Sequence, residues 1–180
     1  MSKIAVLCAD GVEEVECLTT VDFCRRAEIE VTMVSVTGRK QIMGGHHIHF
    51  IADRVFEDID FSDFDGIVLP GGQGTSALAA DPDVKDVVLK FYGEGKLVAA
   101  ICAAPSILAD IGILNGKTAT AYPGFRPEGT ALWTENKTET DGNVITGKGP
   151  GATAEFALEI IHYLEGEDMK NEIAGATMLV

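Results

Sequence analysis

Apolar residues in this chain fall into short solid runs, separated by stretches where they recur every three or four positions. That is the pattern of buried strands alternating with amphipathic helices. Lys3 to Cys8 is almost wholly apolar and stops at the turn signal Asp10-Gly11, which predicts a first strand buried on both faces. Acidic residues from Glu13 lead into Leu18, Val21, Phe23 and Cys24, and the stretch closes on Arg25-Arg26. Acid in the first turn and base in the last match a helix dipole, so a helix follows the strand. Glu30 to Val36 alternates and is rich in Val and Thr, which predicts a second strand. A strand, a helix and a strand in so short a span predict a parallel crossover. Gly66 to Leu69 is another buried strand, broken at Pro70-Gly71-Gly72, and Pro82 opens a helix through Val84, Val87, Val88 and Phe91 to about Gly93.

The remaining elements are shorter. Gln41 to Ile51 carries Gly44-Gly45 between two alternating stretches and predicts a small hairpin or flap, and the acidic stretch Asp53 to Asp65 reads as connection. Lys117 to Ala121 predicts a short strand, followed by a polar loop from Tyr122 to Gly129. Ala131 to Glu135 and Val144 to Thr146 flank Asp141-Gly142, a hairpin turn signal. Phe156, Ile160, Ile161 and Leu164 recur at helical spacing within Ala154 to Leu164, and a last short helix covers Asp168 to Ala174. With no repeats or linkers, residues 1–180 read as one α/β domain, a mostly parallel sheet covered by helices on both faces.

One junction stands out chemically. Leu97-Val98-Ala99-Ala100-Ile101 is a buried strand, Cys102 falls where it ends, and Pro105 suits the first turn of a helix running to about Ile111. The cysteine therefore sits on a tight strand-to-helix elbow lined by alanines, where helix-start amides favour a thiolate. The competing reading is a small buried hydrophobe, the usual fate of a free cysteine. In open α/β sheets, ligands bind beyond the carboxyl ends of the strands. The residues from Asp10 to Glu16, Pro70-Gly71-Gly72 and Cys102 all leave strands at that edge.

Composition narrows the classes. The chain of 180 residues has a net charge of −14 and no Lys/Arg-rich stretch, which argues against nucleic acid and against anionic membrane surfaces. No segment reaches the ~18 apolar residues needed to span a bilayer, and the apolar run at the amino terminus is too short for a signal peptide. Cysteines 8, 17, 24 and 102 show no C-x-x-C spacing, so free thiols in a reducing cytoplasm are expected.

Four motifs, in order across nearly the whole chain, carry a family resemblance: Glu13-Glu14-Val15-Glu16, Leu69-Pro70-Gly71-Gly72, Ala99-Ala100-Ile101-Cys102-Ala103-Ala104-Pro105, and Gly149-Pro150-Gly151 with Glu155-Phe156-Ala157-Leu158. They resemble the ThiJ/PfpI superfamily, in the branch of the parkinsonism-associated protein deglycase. The resemblance implies a single-domain flavodoxin-like three-layer sandwich, a homodimer, and a cofactor-free reaction with no metal. It implies Cys102 as nucleophile, Glu16 as the acid bonded to its sulfur, and the amides of Gly72 and Ala103 as the oxyanion pair. The residues alone do not separate Glu16 from Glu13 or Glu14, and a first-turn acid serving the helix dipole is the plain alternative. His46 matches a basic residue that approaches the site in the relative. Tyr122 stands where that relative has histidine, and a phenol is a poor base at neutral pH. Peptidase-like members carry histidine directly after the nucleophile, where this chain has Ala103.

The substrates implied are small aldehydes and dicarbonyls of the methylglyoxal type, or glycated molecules, processed for stress protection. A redox sensor that stops at a Cys102 sulfinic acid is the alternative of another class; a cysteine peptidase is a third. Among the histidines, His47 and His49 would share one face if both lay on a strand, a potential metal pair set against a plain polar flap.

Overall fold

A computed structural model describes residues 1–179. The elements are β1 (Lys3–Cys8), α1 (Glu14–Arg26), β2 (Glu30–Ser35), β3 (Gln41–Met43), β4 (His49–Ile51), β5 (Arg54–Val55), β6 (Gly66–Leu69), α2 (Thr75–Ala80), α3 (Pro82–Gly93), β7 (Leu97–Ile101), α4 (Pro105–Asp110), β8 (Thr118–Ala119), β9 (Leu132–Trp133), β10 (Thr138–Asp141), β11 (Val144–Gly147), α5 (Thr153–Glu165) and α6 (Glu167–Ala176). Seven strands form the main sheet in the order β10-β11-β7-β6-β1-β2-β5, parallel throughout except at the β10–β11 edge.

Strand alternation sends neighbouring side chains to opposite layers. Ile4, Val6 and Cys8 of β1 pack with α1, α5 and α6 through Cys17, Val21, Phe156, Ile160 and Ile173. Ala5 and Leu7 pack with α2, α3 and α4 through Leu78, Val84, Phe91 and Ile107. Both layers are dry, which is why these strands read as unbroken apolar runs. The result is the expected three-layer α/β sandwich.

Chain order reverses beside β1: β2 lies on one side of it and β6 on the other. Such a switch point opens a crevice at the carboxyl ends of the strands. Here the α1 turn and the Gly71-Gly72 turn meet across it, with Glu13 N donating to Gly71 O at 3.0 Å and a bridge between Val12 and Gly72.

Two local expectations need correction, and one element carries no signal in the sequence. The hairpin turn at Gly142-Asn143 is real, but β11 pairs with Thr138–Asp141. Leu132–Trp133 instead runs parallel to Thr118–Ala119 in a separate two-stranded sheet. A two-residue loop can join only the segment directly before it, and that segment is a polar edge strand with no apolar signature. Secondly, α2 arises from Thr75-Ser-Ala-Leu-Ala-Ala, where only Leu78 and Thr75 are buried and no amphipathic stripe announces a helix. Thirdly, the connection 53–65 contains β5 and two short 3₁₀ turns around Phe56 and Phe61, whose rings cluster with Phe64.

Candidate active site

Cys102 terminates β7 with φ +66°, a left-handed conformation that costs a residue with a Cβ about 1–2 kcal/mol. Surrounding bonds hold it there: Cys102 N donates to Gly147 O of β11 at 2.9 Å, and Tyr122 N donates to Cys102 O at 2.9 Å. The elbow inferred from Ile101-Cys102 and Pro105 is present, and Cys102 is the one cysteine not fully buried. Its strain at a partly exposed edge makes Cys102 a candidate functional position.

Glu16 lies on the first turn of α1 at 0% exposure. Its Oε2 accepts from Gly71 N at 2.8 Å, while Oε1 is buried without a hydrogen-bond partner among the described residues. Burial pushes this carboxyl up to about 7; the Gly71 amide and Cys102 oppose the shift, and the Glu13 charge adds to it. A Cβ at position 71 would lie 2.6 Å from both Cys102 Cβ and Glu16 Oε2, so the three residues converge on one point and only glycine fits between them. Gly71→Ala is expected to push the acid and the sulfur apart, with a loss of roughly 1–3 kcal/mol in thermal unfolding.

The thiol does not follow the simple helix-start expectation. Burial, then the Glu16 charge, push Cys102 up to about 12, against the amides of Gly72 and Ala103, which act to lower it. The correction has a physical reason: burial of the sulfur, joined by the charge on Glu16, outweighs two amide dipoles. Cys102 and Glu16 titrate as a pair. Losing one proton from the pair gives either thiol with carboxylate or thiolate with carboxylic acid. A thiolate therefore exists at neutral pH only while Glu16 keeps the proton.

Of the other expected residues, Gly72 and Ala103 border the sulfur through their amides. Tyr122 stands beside the elbow through its backbone bond, with its half-exposed ring packed over Gly149 and edge-on to Phe125 at 6.5 Å. Its hydroxyl makes no hydrogen bond among the described residues. His46 is held by Glu14 at the flap. Its Nδ1 lies 2.9 Å from Glu14 Oε2 and 3.6 Å from Glu13 Oε1. His47 and His49 do not share a strand face: His47 turns at φ +64° before β4 begins, and both are exposed. The carboxylates drawn to a histidine are instead Glu13 and Glu14 at His46.

Glu14 was not separable from its neighbours by sequence, yet its role is distinct. It is buried, and its Oε1 accepts from His46 N at 2.7 Å and from Ile48 N at 3.4 Å. A Cβ on Gly44 would come within 2.1 Å of that oxygen, so the flap closes on the carboxylate only through glycine. Burial raises the Glu14 pKa, but the His46 ring and the flap amides outweigh it and hold the group at about 2. A carboxyl lowered on folding contributes stability above its unfolded pKa of ~4.3 and loses it as pH falls through the folded value. Glu14→Gln is therefore expected to speed hydrogen exchange at the His46 and Ile48 amides at pH 7 and to cost about 1–3 kcal/mol. The wild-type protein should lose that advantage between pH ~4.3 and 2.

Two hollows adjoin the elbow. One, of about 280 Å³, is lined by Tyr122, Pro150, Lys137 and Lys148. The other, of about 420 Å³, is bordered by Gly72 and Ala103.

Residues 2–163 match the sequence profile of the DJ-1/PfpI family. The dj-1beta protein of Drosophila melanogaster is 38% identical over 179 residues, covering 97% of this chain and 96% of the relative. The crystal structure of Drosophila DJ-1beta superposes with a TM-score of 0.94 at 34% identity, over 99% of this chain and 98% of the other. A deglycase of Pyrococcus abyssi is 30% identical across 91% of this chain and 99% of its own. An oxidized DJ-1 of Toxoplasma gondii superposes with a TM-score of 0.92 at 28% identity, covering 99% of this chain and 98% of that one. With its elbow cysteine, its buried glutamate and this match along its length, the chain belongs to the DJ-1/PfpI family.

Proposed function

We propose that this chain is a cofactor-free, cysteine-dependent enzyme acting on reactive dicarbonyls, of the glyoxalase or deglycase type, in stress protection. One observation carries the reading: a fully buried glutamate beside a strained cysteine, its pKa raised to about 7 and one oxygen left without a partner. A carboxyl that titrates near neutral pH donates to a thiolate in its protonated form and moves a proton in the same site in its ionised form. Cys102 sulfur adds to the aldehyde carbon of methylglyoxal, and the new alkoxide takes a proton, giving a hemithioacetal. Glu16 then takes the proton from the former aldehyde carbon and returns it at the neighbouring carbonyl carbon through an enediol. The thioester so formed is hydrolysed by water, which restores the thiol and releases lactate. Water is the only co-reactant, and the amides of Gly72 and Ala103 are the donors for the developing oxyanion.

The name of the Pyrococcus relative supports carbonyl or glycated substrates. Ala103 offers no base beside the nucleophile, which weighs against the peptidase reading. The chain is further proposed to work in the cytoplasm as a homodimer, through the exposed apolar side chains Val15, Ile48 and Ile51 around α1 and the β3–β4 flap. Purified protein mixed with methylglyoxal in the absence of glutathione should form lactate; no lactate refutes the enzyme.

A second reading, oxidation sensing, is favoured by the partial exposure of Cys102 and by the oxidized state in which the Toxoplasma relative was solved. Mass spectrometry after mild peroxide discriminates. Gain of two oxygens on Cys102 with negligible aldehyde turnover selects the sensor.

A further inference from the structure

The larger hollow begins at Gly72 and Ala103, the two residues whose amides act on the Cys102 sulfur. Its remaining wall comes from α2, from Ser106 on α4 and from Phe125 in the loop after Tyr122. At about 420 Å³ it is far larger than the methyl group of methylglyoxal requires.

The wall chemistry is mixed. Phe125 is 45% exposed and presents an aromatic surface, with Ala79 and Ala103 also apolar. Ser106 Oγ donates to Ala103 O at 2.7 Å and Ser76 Oγ to Gln73 O at 2.9 Å. Each hydroxyl has thus spent its proton on the backbone and keeps its lone pairs for an incoming donor. The Gln73 side chain is exposed and without a protein partner among the described residues, so its amide can both donate and accept. Thr75 is 7% exposed, and its hydroxyl oxygen is buried with no partner. An aromatic surface with several uncommitted oxygens suits a carbon chain that carries hydroxyls: its C–H side lies on the ring while its hydroxyls donate to serine oxygens.

We propose that this cavity is a subsite for the polyhydroxylated tail of a sugar-derived α-oxoaldehyde, so that such a compound, and not methylglyoxal, is the better dicarbonyl substrate. The inference rests on the reading that Cys102 adds to an aldehyde. The reaction keeps its balance: the aldehyde carbon is oxidised to a carboxylate, the adjacent ketone is reduced to an alcohol, and one water is consumed. A phosphorylated tail is disfavoured, because the cations of the neighbouring hollow are already paired, Lys148 with Glu135 at 2.7 Å and Lys137 with Glu155.

The test compares kcat/KM for 3-deoxyglucosone, methylglyoxal and phenylglyoxal in the wild-type protein, Phe125→Ala and Gln73→Ala, without glutathione. The expected result is a preference for 3-deoxyglucosone over methylglyoxal of about tenfold or more, carried by KM and equal to ~1.4 kcal/mol. Each substitution should reduce that ratio by about fivefold or more. A ratio near one, a ratio untouched by both substitutions, or a preference for phenylglyoxal overturns the proposal. Absence of all turnover refutes the enzyme reading instead. The subsite is then judged by protection of Cys102 from iodoacetamide: stronger protection by 3-deoxyglucosone than by methylglyoxal, lost in Phe125→Ala, supports it, and equal protection overturns it.

Discussion

Replacing Cys102 by serine is expected to cut kcat/KM for dicarbonyls by about four orders of magnitude or more, the usual consequence of losing the atom that forms the covalent intermediate. Serine keeps the size of the side chain, but its alcohol is far less acidic than a thiol, and a glutamate with a pKa near 7 is too weak a base to ionise it. Unfolding should report a different axis. At φ +66° the backbone of residue 102 favours glycine, so Cys102→Gly is expected to be about 1 kcal/mol more stable than Cys102→Ala, the reverse of their order in an ordinary helix or strand. Thermal unfolding of the two inactive variants checks this. Alanine as the more stable of the pair would remove the claim that strain is held at the elbow. Retained turnover in the serine variant would remove the nucleophile itself.

The elbow was legible because each neighbour sets a local rule. A five-residue apolar run is better read as a buried strand than as a helix, Pro105 fits a first helical turn, and whatever lies between them must turn sharply at the sheet edge. The three-layer fold was legible for the same reason, since period-two and period-3.6 patterns fix which faces are dry. Elements whose identity depends on distant partners were not. Thr138–Asp141 is polar and becomes a strand only because β11 lies beside it. Glu14 looked like any acid in a first turn until the flap amides of His46 and Ile48, more than thirty residues away, closed on it. The raised thiol pKa was hidden for a related reason. Helix-start amides can be inferred from chain order, but the distance to a buried carboxylate depends on how α1 and β7 meet across the sheet. Thr75, Ser106 and Phe125 belong to three separate segments and carry no motif, so their shared cavity appears only in three dimensions.

Glu16→Gln should separate catalysis from stability in opposite directions. The folded pKa of Glu16, about 7, lies above the unfolded value of ~4.3. A group raised in this way favours folding below its unfolded pKa, and the benefit is lost as pH rises through the folded value, so at pH 8 the wild-type protein carries a buried charge at a net cost. Glutamine keeps the carbonyl that can accept from Gly71 N and never ionises. The variant should therefore unfold later than wild type at pH 8, by on the order of 2 kcal/mol, with the gap closing toward pH 4. Turnover should move the other way, falling about 10²–10⁴-fold, because no group remains to shuttle the proton between the two substrate carbons. In the wild-type protein kcat/KM is expected to rise with pH through about 7, as the Cys102–Glu16 pair gives up its first proton. That limb should vanish in the variant, leaving the ionisation of a single thiol. The thiol pKa itself should come down, since after burial the Glu16 charge is the largest influence holding it up. Iodoacetamide should then alkylate Cys102 faster at pH 8 in a protein that turns over less. A variant that is both slower to alkylate and less stable would show that Glu16 supports the fold and does not hold the proton on which this chemistry depends.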